Sequence, residues 1–309
     1  MNKITIIMTT YNGEKYVGEQ IESILASPYS NFEISIYDDG SNDNTMGILR
    51  RYEELYPDII QVHQNEQNMG VTLNFLNAIC NTNSDYYMLC DQDDVWKPNK
   101  IPVTLKKMRQ MEEQYGKNTP LAVFTDAVVV DKELNILHNS FFASSHMNPR
   151  RTDLPHLLME NKLIGCTVMF NASLRKILKS NHLPKEARFH DAWIGLIAAS
   201  FGRIAYLNEA TMLYRQHGNN VVGNVNFLAY IKDRITTINK QKINLLATQR
   251  QAVEFARIYG KKMDLDKRII IGRFANLHKA GFVRKRCLIL RHRYLKSGLV
   301  RNLGLMIII

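Results

Sequence analysis

Residues 86–99 read YYMLCDQDDVWKPN, and the fold can be inferred by working outward from this stretch. Its first five residues form an apolar run with the length of a buried strand, and Asp91, Asp93 and Asp94 follow directly. Carboxylates this close together repel one another, and a bound cation would offset the repulsion. Mg²⁺ and Mn²⁺ prefer oxygen ligands and often bridge to phosphates. The stretch therefore predicts a divalent metal site at the end of a buried strand, with a solvated acidic turn as the alternative.

Strand-like and helix-like segments alternate along the first half of the chain. Residues 4–8 are apolar, and Phe32, Ile34 and Ile36 alternate with polar residues. Between these two segments, residues 16–25 carry apolar side chains at helical spacing. This alternation predicts an α/β fold with a mostly parallel sheet and flanking helices.

Short strand-like runs recur later and are predicted to extend the sheet. They lie at residues 121–130, 163–170 (interrupted at Gly165), 203–207 and 211–214. From about residue 226 onward the pattern is helical, rich in Lys and Arg, and without strand signals.

Polar clusters follow three of the predicted strands, at residues 9–12, 38–41 and 91–94. Ligands of open α/β sheets bind outside the carboxyl ends of the strands, so the three clusters are predicted to share one edge of the sheet. The first of these turns has no G-x-G-x-x-G, and the chain has no G-x-x-x-x-G-K-[ST]. The first absence argues against a dinucleotide fold, and the second excludes a P-loop.

The cysteines and the N-terminus indicate the compartment. Cys80, Cys90, Cys166 and Cys287 show neither paired nor metal-type spacing, which favours a reducing environment. The first residues lack the apolar stretch of a signal peptide, and no run approaches the ~18 apolar residues of a membrane span. We expect a protein that is made and kept in the cytoplasm.

Charge is unevenly distributed along the chain. Residues 230–309 hold 19 Lys and Arg against 4 Asp and Glu, whereas residues 1–229 hold 21 against 25. A basic block beside a mildly acidic one predicts contact with an anionic surface, either lipid or nucleic acid. Apolar residues interleaved with the cations favour lipid. Packing onto the rest of the protein, or a dimer seam, is the alternative, so a homo-oligomer is left open.

Six ordered motifs resemble those of the family 2 glycosyltransferases, over roughly residues 1–220. They are TTYNGEKYVGEQIESIL at 9–25, YDDGSNDNT at 37–45, CDQDDVW at 90–96, GCTVMFN at 165–171, FHDAW at 189–193 and LYRQH at 213–217. The resemblance implies a GT-A fold with a Rossmann-like sheet. We place this catalytic domain at residues 1–225, followed by a basic amphipathic helical region at 226–309. DQDDVW and HDxW…YRQH look most like bacterial rhamnosyltransferases of cell-surface polysaccharides, although related enzymes that use other sugars share much of this pattern.

The resemblance also implies roles for the residues that would bind a nucleotide sugar. Thr9, Tyr11 and Asp39 match positions that hold the nucleotide base, where a carboxylate can accept the imide N–H of uracil or thymine. Asp91 and Asp93 match the DxD motif, and Asp93 is expected to be the direct ligand of Mg²⁺ or Mn²⁺.

Further positions match the reacting end of the family's site. Asp191 matches the catalytic base of inverting members, which takes the proton of the acceptor hydroxyl. His217 is expected at the metal or the diphosphate, and Arg215 as a cation beside it. The remaining predicted residues of the donor and acceptor pocket are Asn12, Gly165, Cys166, His190 and Trp193.

Each of these positions also has a structural explanation. Asp39 and Asp191 could be helix N-caps, and His217 an ordinary hydrogen-bonded surface histidine. Trp193 could belong to the core, and Gly165 could mark a strand irregularity. Only their ordered combination favours the catalytic interpretation.

The sequence thus predicts an inverting, metal-dependent glycosyltransferase. We expect it to move rhamnose from dTDP-rhamnose onto a lipid-linked polysaccharide precursor, at the inner face of the cell membrane as a peripheral protein. A UDP-hexose donor is the alternative within this class. A nucleic-acid-binding protein is the rival from another class, and the acidic cluster and the lack of a nucleic-acid motif speak against it.

Overall fold

The computed structural model describes residues 3–216 and 238–309. Within these residues nine strands form one sheet, in the order β3-β2-β1-β4-β8-β6-β9-β5, with β7 paired to β6. The strands are β1 Ile4–Thr10, β2 Phe32–Asp38, β3 Ile60–Gln64, β4 Tyr86–Cys90, β5 Val95–Trp96, β6 Leu121–Val130, β7 Ile136–His138, β8 Val168–Asn171 and β9 Arg203–Arg215.

Twelve helices lie in the same described ranges. They are α1 Val17–Leu25, α2 Thr45–Leu55, α3 Val71–Asn81, α4 Lys100–Tyr115, α5 Phe141–Ser144, α6 Leu154–Met159, α7 Ala172–Lys179, α8 His190–Phe201, α9 Ile238–Tyr259, α10 Leu265–Ala275, α11 Phe282–His292 and α12 Leu299–Ile308. The predicted alternation of strands and helices in the first half is confirmed.

The sheet is mixed: β1, β2, β3 and β4 pair in parallel, as do β6 and β9, whereas β5, β7 and β8 pair antiparallel to their neighbours. β1 pairs in parallel with β2 and with β4, and every residue of β1 and β4 is buried, as expected where helices cover both faces. β8 runs antiparallel to both β4 and β6, and β5 runs antiparallel to β9. The expectation of a mostly parallel sheet therefore holds for the half that begins the chain.

Three of the later predicted strands differ from those observed. The strand predicted at 163–170 begins only at Val168, because Gly165–Thr167 forms a 3₁₀ turn in which Thr167 N–H donates to the Ile164 carbonyl. The two short strands predicted at 203–207 and 211–214 are one strand, β9. Its pairing with β6 shifts register on both sides of Asp126. The polar residues between the two predicted strands lie at this irregularity, so β9 continues through them.

The C-terminal helices share the hydrophobic core of the sheet. Phe255 and Tyr259 of α9 are buried against Trp193 of α8, with ring centroids 5.1 and 6.1 Å from it. Phe274 and Leu305 belong to the same buried cluster. This is the packing alternative raised from the sequence, and it holds for one face of the helical region. The boundary expected at 225/226 lies outside the described residues.

A search for bilayer-spanning helices, over residues 3–216 and 238–309, finds none with the necessary length and hydropathy.

Candidate active site

A cavity of about 650 Å³ lies at the carboxyl ends of β1, β2 and β4. Thr10 pairs with Asp38 and Met8 with Cys90, so the three polar turns that follow these strands are neighbours, as predicted. Eight of the predicted site residues line this cavity: Thr9, Tyr11, Asp39, Asp91, Asp93, Gly165, His190 and Asp191.

Asp39 is held at one end of the cavity by the segment that follows β3. Its Oδ1 accepts hydrogen bonds from Asn65 Nδ2 (2.8 Å) and Met69 N–H (2.9 Å), and its Oδ2 accepts one from Gly70 N–H (2.8 Å). Asp38, not Asp39, accepts the N–H groups of Gly40 and Ser41. Asp39 is therefore not a helix cap, and Oδ2 retains a lone pair for a further donor.

Tyr11 presents an exposed ring to the cavity, with 47% of its surface accessible. Its backbone is fixed by Gln92, whose Oε1 accepts the Tyr11 N–H (2.8 Å) and whose Nε2 donates to the Tyr11 carbonyl (3.1 Å). Asn12 was predicted in the pocket, but it does not line the cavity. Its Oδ1 instead accepts the Asn42 N–H, and its N–H donates to Ser41 Oγ.

Asp91, Asp93 and Asp94 crowd together at the end of β4. Asp91 and Asp93 line the cavity, whereas Asp94 is buried beneath them and its Oδ1 accepts the Arg215 N–H at 3.0 Å. Burial, the charge of Asp93 and that of Asp191 raise the pKa of Asp91 to about 7. Burial and the charges of Asp93 and Asp91 likewise raise the pKa of Asp94 well above its usual value.

This cluster fits a hard divalent cation. Oδ2 of Asp94 is buried and accepts no hydrogen bond within the described residues. Ligand atoms of Asp91, Asp94 and Cys166 lie within 4.8 Å of one another, and Asp93 is outside this group. Burial raises the pKa of the Cys166 thiol well above its usual value, so it stays protonated and is a poor ligand for Mg²⁺ or Mn²⁺. Asp91 and Asp93 line the cavity and are the candidate ligands that a substrate-bound metal could reach, whereas Asp94 does not line it. The sequence alone ranked Asp93 first.

Arg215 does not face the cavity, which corrects its predicted place beside the diphosphate. It is buried, and its guanidinium donates to the carbonyls of Asp93 (2.8 Å) and Lys132 (2.6 Å) and pairs with Glu19. A buried guanidinium needs several acceptors, and one of those used by Arg215 is the backbone of the acidic loop. Its role is therefore to hold that loop in place. His217, two positions later, lies outside the described residues.

Asp191 lies in the first turn of α8 and lines the same cavity as Asp39. The N-cap of α8 is Phe189, so Asp191 is not the cap. Its Oδ2 accepts the Gly165 N–H at 3.1 Å, and Asn161 also hydrogen-bonds to its carboxylate. Burial raises the pKa of Asp191 to about 6, against the opposing effect of these donors. A carboxylate with this pKa is ionised at neutral pH and basic enough to take a proton.

His190 stacks on Phe75 with ring centroids 3.9 Å apart, and its Nε2 has no hydrogen-bond partner within the described residues. Burial lowers the pKa of His190 to about 3, so the ring is neutral. A Cβ added to Gly165 would lie 2.5 Å from that Nε2, and the absence of a side chain there is what admits the ring.

Trp193 and Cys166 are further corrections. Trp193 is fully buried in the core and lines no part of the cavity, because its ring faces α9. Cys166 is buried and does not line the cavity, but its thiol lies within 4.8 Å of ligand atoms of Asp91 and Asp94 and hydrogen-bonds to Asp91, which does line it.

Sixteen of the lining residues were not predicted as site residues, and five of these are Gln92, Glu160, Asn161, Lys162 and Arg301. Gln92 lies between two predicted site residues, Asp91 and Asp93, and this position could have drawn attention to it. The other four lie in a polar connection and in the C-terminal helix α12, and no motif in the sequence connects them.

A family model described as "Glycosyl transferase family 2" matches residues 5–175. The dTDP-rhamnosyl transferase RfbG of Shigella flexneri is 28% identical over 238 residues, which are 73% of this chain and 77% of that protein. An uncharacterized glycosyltransferase of Nostoc sp. is 26% identical over 224 residues, covering 71% of this chain and 66% of that one.

Solved structures show the same fold at low identity. TarS 1–349 of S. aureus, in complex with UDP-GlcNAc, has a TM-score of 0.55 at 17% identity, covering 93% of this chain and 83% of that one. The mannosyltransferase PcManGT of Pyrobaculum calidifontis, in complex with GDP-Man and Mn²⁺, has a TM-score of 0.57 at 16% identity, covering 99% and 79%. These likenesses identify the GT-A fold.

Proposed function

The chain belongs to the family 2 glycosyltransferases, and we propose that it is an inverting, metal-dependent member that transfers a sugar from a nucleotide donor to a lipid-linked saccharide. The observation that carries the proposal is that Asp191 shares one cavity with Asp39, Asp91 and Asp93. A base, a carboxylate suited to a nucleotide and carboxylates suited to a metal are the groups that sugar transfer requires.

Asp191 is the general base of the proposed reaction. The acceptor hydroxyl oxygen attacks the anomeric carbon, its proton passes to the Asp191 carboxylate, and the bond from that carbon to the phosphate oxygen breaks. The leaving group is the nucleoside diphosphate, and the anomeric configuration inverts. Hydrogen bonds from Gly165 and Asn161 hold the carboxylate in place for this step.

The donor is bound at the Asp39 end of the cavity. Asp39 Oδ2 would accept the imide N–H of the base, and the exposed ring of Tyr11 offers a stacking face. Asp91 and Asp93 would hold Mg²⁺ or Mn²⁺, which supplies Lewis-acid stabilisation of the departing diphosphate.

Rhamnose from dTDP-rhamnose is the proposed donor, supported by the 28% identity to RfbG and by the DQDDVW and HDxW motifs. A UDP-hexose is the second candidate, because thymine and uracil present the same imide N–H to Asp39. Base recognition of this kind does not separate the two.

A lipid-linked acceptor requires the enzyme to work beside a bilayer, and we propose that the C-terminal helices bind its anionic surface. Two helices, α11 and α12, expose apolar side chains at Phe282, Val283, Leu290, Leu299, Val300, Leu303 and Ile307. Arg284 and Arg291 are exposed on α11. Insertion of the apolar residues, with the cations facing anionic headgroups, is how interfacial helices bind.

A release assay for nucleoside diphosphate tests the proposed function. Full-length protein is incubated with a panel of dTDP- and UDP-sugars in Mn²⁺, in Mg²⁺ and in EDTA. We expect release with one donor, in the presence of metal only. Full activity in EDTA would contradict the metal role, and release from no donor in the panel would contradict the assigned donor class.

Co-sedimentation with vesicles tests the surface separately. Binding to anionic vesicles that weakens in high salt supports it. Equal binding to neutral and anionic vesicles, or to neither, contradicts it.

A further inference from the structure

The segment that leads into α8 is attached to the C-terminal helix α9. Phe189, His190 and Asp191 line the cavity, and the four residues before them, 185–188, lie against α9. The N-cap residue of α8, Phe189, makes no side-chain capping hydrogen bond, so this helix is not anchored by its own cap. The contacts of residues 185–188 therefore bear on where the base Asp191 is held.

Two buried side chains of α9 accept backbone N–H groups from this segment. Glu254 accepts from Lys185 (3.1 Å) and from Glu186 (2.5 Å). Gln251 Oε1 accepts from Arg188 (2.9 Å). Glu254 is 6% exposed and Gln251 is 3% exposed. Because a backbone N–H that loses its acceptor away from water is costly, these three bonds fix the course of the segment.

The Arg188 side chain adds a second set of contacts to the same helix. Its Nη1 donates to Thr248 Oγ1 (2.8 Å), and its Nη2 donates to Asn244 Oδ1 (3.2 Å). The Thr248 hydroxyl in turn donates to the Asn244 carbonyl (2.8 Å), which orients it to accept from the guanidinium. Asn244, Thr248 and Gln251 recur at steps of four and three residues, so one face of α9 makes all of these contacts.

The same face of α9 also packs against α8. Phe255 follows Gln251 by four positions, and its ring centroid lies 5.1 Å from that of Trp193, two positions after Asp191. The base thus lies on a short stretch of chain, with a backbone bond to α9 at Arg188 before it and a buried ring contact after it. A short stretch that is fixed at both ends has little conformational freedom. The position of α9 therefore determines where the Asp191 backbone lies.

The Asp191 carboxylate depends on this backbone position to reach its own hydrogen-bond donors. Its Oδ2 accepts the Gly165 N–H at 3.1 Å, and Asn161 also bonds to it. A shift of the start of α8 by about half an ångström would carry the Gly165 contact beyond hydrogen-bond distance. Misplacement of a catalytic group by about 1 Å can cost ~100-fold in rate.

We propose that α9 positions the general base of the transferase, through Gln251 and Glu254 acting on residues 185–188. The proposal rests on the proposed function, in which Asp191 takes the proton of the acceptor hydroxyl. Gln251 and Glu254 do not line the cavity, so they are positioning residues. Their loss should lower the rate of transfer without weakening donor binding. The C-terminal region is then part of the catalytic unit, in addition to the surface role proposed for α11 and α12.

Single-turnover transfer from dTDP-rhamnose to a synthetic alkyl diphosphate saccharide tests the positioning role. The full-length variants are compared at a temperature where all are folded. We expect Gln251→Leu to lower the rate at least ~10-fold and to leave the donor Kd within about twofold. Gln251→Glu keeps an acceptor oxygen for the Arg188 N–H and should recover the rate to within about threefold of the wild type. Equal rates of the Leu and Glu variants, or an equal loss in donor binding, overturn the proposal.

Two further variants of α9 separate positioning from a general loss of stability. Arg250→Gln removes an exposed ion pair with the Glu186 side chain (3.3 Å) and leaves the backbone bonds of the segment in place, so transfer should be unchanged. Ala252→Gly weakens the helix itself while Gln251 and Glu254 remain, so it should lower the melting temperature with the rate within about twofold. A rate for Ala252→Gly as low as that of Gln251→Leu, at a similar melting temperature, overturns the proposal.

Hydrogen exchange of backbone amides tests the positioning without any substrate. We expect Gln251→Leu to speed exchange at least ~10-fold at Arg188, which loses its acceptor, and at Gly165, whose N–H donates to Asp191. Faster exchange at Arg188 with no change at Gly165 would show that α9 holds the segment but not the base, and it overturns the proposal. Absence of transfer by the wild type counts against the proposed function, while exchange at Gly165 still decides the positioning.

Discussion

The Oδ2 atom of Asp191 accepts a hydrogen bond from the backbone N–H of Gly165, 3.1 Å away. This contact joins the first turn of α8 to the 3₁₀ turn before β8, and it fixes the carboxylate at the cavity wall. The same glycine admits the ring of His190 by having no side chain. From the sequence, Asp191 could have been a helix cap and Gly165 a strand irregularity. In the structure the two residues contact each other at the cavity wall.

Asp191→Asn tests the role of this carboxylate as the base. The amide cannot take a proton, but its oxygen can still accept the Gly165 N–H, so the fold should be kept. We expect transfer to fall at least ~1,000-fold, with the donor Kd within about twofold, as for a group that acts in the transition state. Measurement of nucleotide-sugar binding beside single-turnover transfer checks both values. Persistent transfer by the Asn variant would return Asp191 to a structural role.

The pH dependence of transfer should follow the ionisation of Asp191. Only the ionised carboxylate is a base, and burial raises its pKa to about 6, so kcat should fall about tenfold per pH unit below that value. His190, with a pKa of about 3, adds no limb between pH 5 and 8. Asp91, whose pKa is raised to about 7, would add one in the metal-free protein, so the profile is measured at saturating Mn²⁺, which keeps Asp91 ionised. An acid limb near pH 4, or one that survives in Asp191→Asn, would contradict the assignment.

Stability gives an independent reading of the same pKa. A carboxyl group whose pKa is raised in the folded state contributes stability that is present at low pH and lost as the pH rises through the folded value. The wild type should therefore lose thermal stability relative to Asp191→Asn between about pH 4 and pH 7. Melting temperatures of the two proteins across this range measure the difference.

The sequence predicted residue types at strand ends well, and the directions of side chains poorly. The positions of Asp39 and Asp191 in the site could be predicted from the sequence. A carboxylate at the carboxyl end of a strand, or at the start of a helix beside it, usually faces the cleft at that edge of the sheet. Arg215 also follows a strand, yet its side chain turns inward to the Asp93 carbonyl, and nothing in the local pattern distinguishes the two directions. Arg301 could not have been predicted, because it reaches Glu160 across 141 positions through the packing of α12.

Gly165→Ala tests how closely His190 approaches the turn. The added methyl group would meet His190 Nε2 at 2.5 Å, so the ring or the turn must move, and with it the N–H that holds Asp191. We expect at least ~10-fold loss of kcat and a loss of about 1–3 kcal/mol in the free energy of unfolding. Gly272→Ala in α10, where nothing lies within 4 Å of the new methyl group, is the matched control. It should be neutral or stabilising by about 0.5–1 kcal/mol. Equal behaviour of the two variants would contradict the packing argument.

Asp93→Asn and Asp94→Asn distinguish the two candidate ligand sets for the metal. Asp93 lines the cavity, so its Asn variant should lose at least ~100-fold in rate and the rise in melting temperature that Mn²⁺ produces. Asp94 is buried with a raised pKa, so its Asn variant should be more stable than the wild type in EDTA at pH 8 and should still respond to Mn²⁺. Loss of the Mn²⁺ response in Asp94→Asn alone would move the site to the cluster of Asp91, Asp94 and Cys166.

Trp193→Ala distinguishes a core tryptophan from one that binds a sugar. Its ring is fully buried between α8 and α9, 5.1 Å from the Phe255 ring, so the change should cost about 3–5 kcal/mol of unfolding free energy. Trp193→Phe should recover most of that loss, and at a temperature where it is folded its donor and acceptor KM should match the wild type. Because the same ring anchors the C-terminal helices, removal of residues 238–309 should give a protein that does not fold, with α8 left uncovered. A truncated protein with a wild-type melting temperature and intact nucleotide-sugar binding would show instead that the C-terminal region is a separable extension.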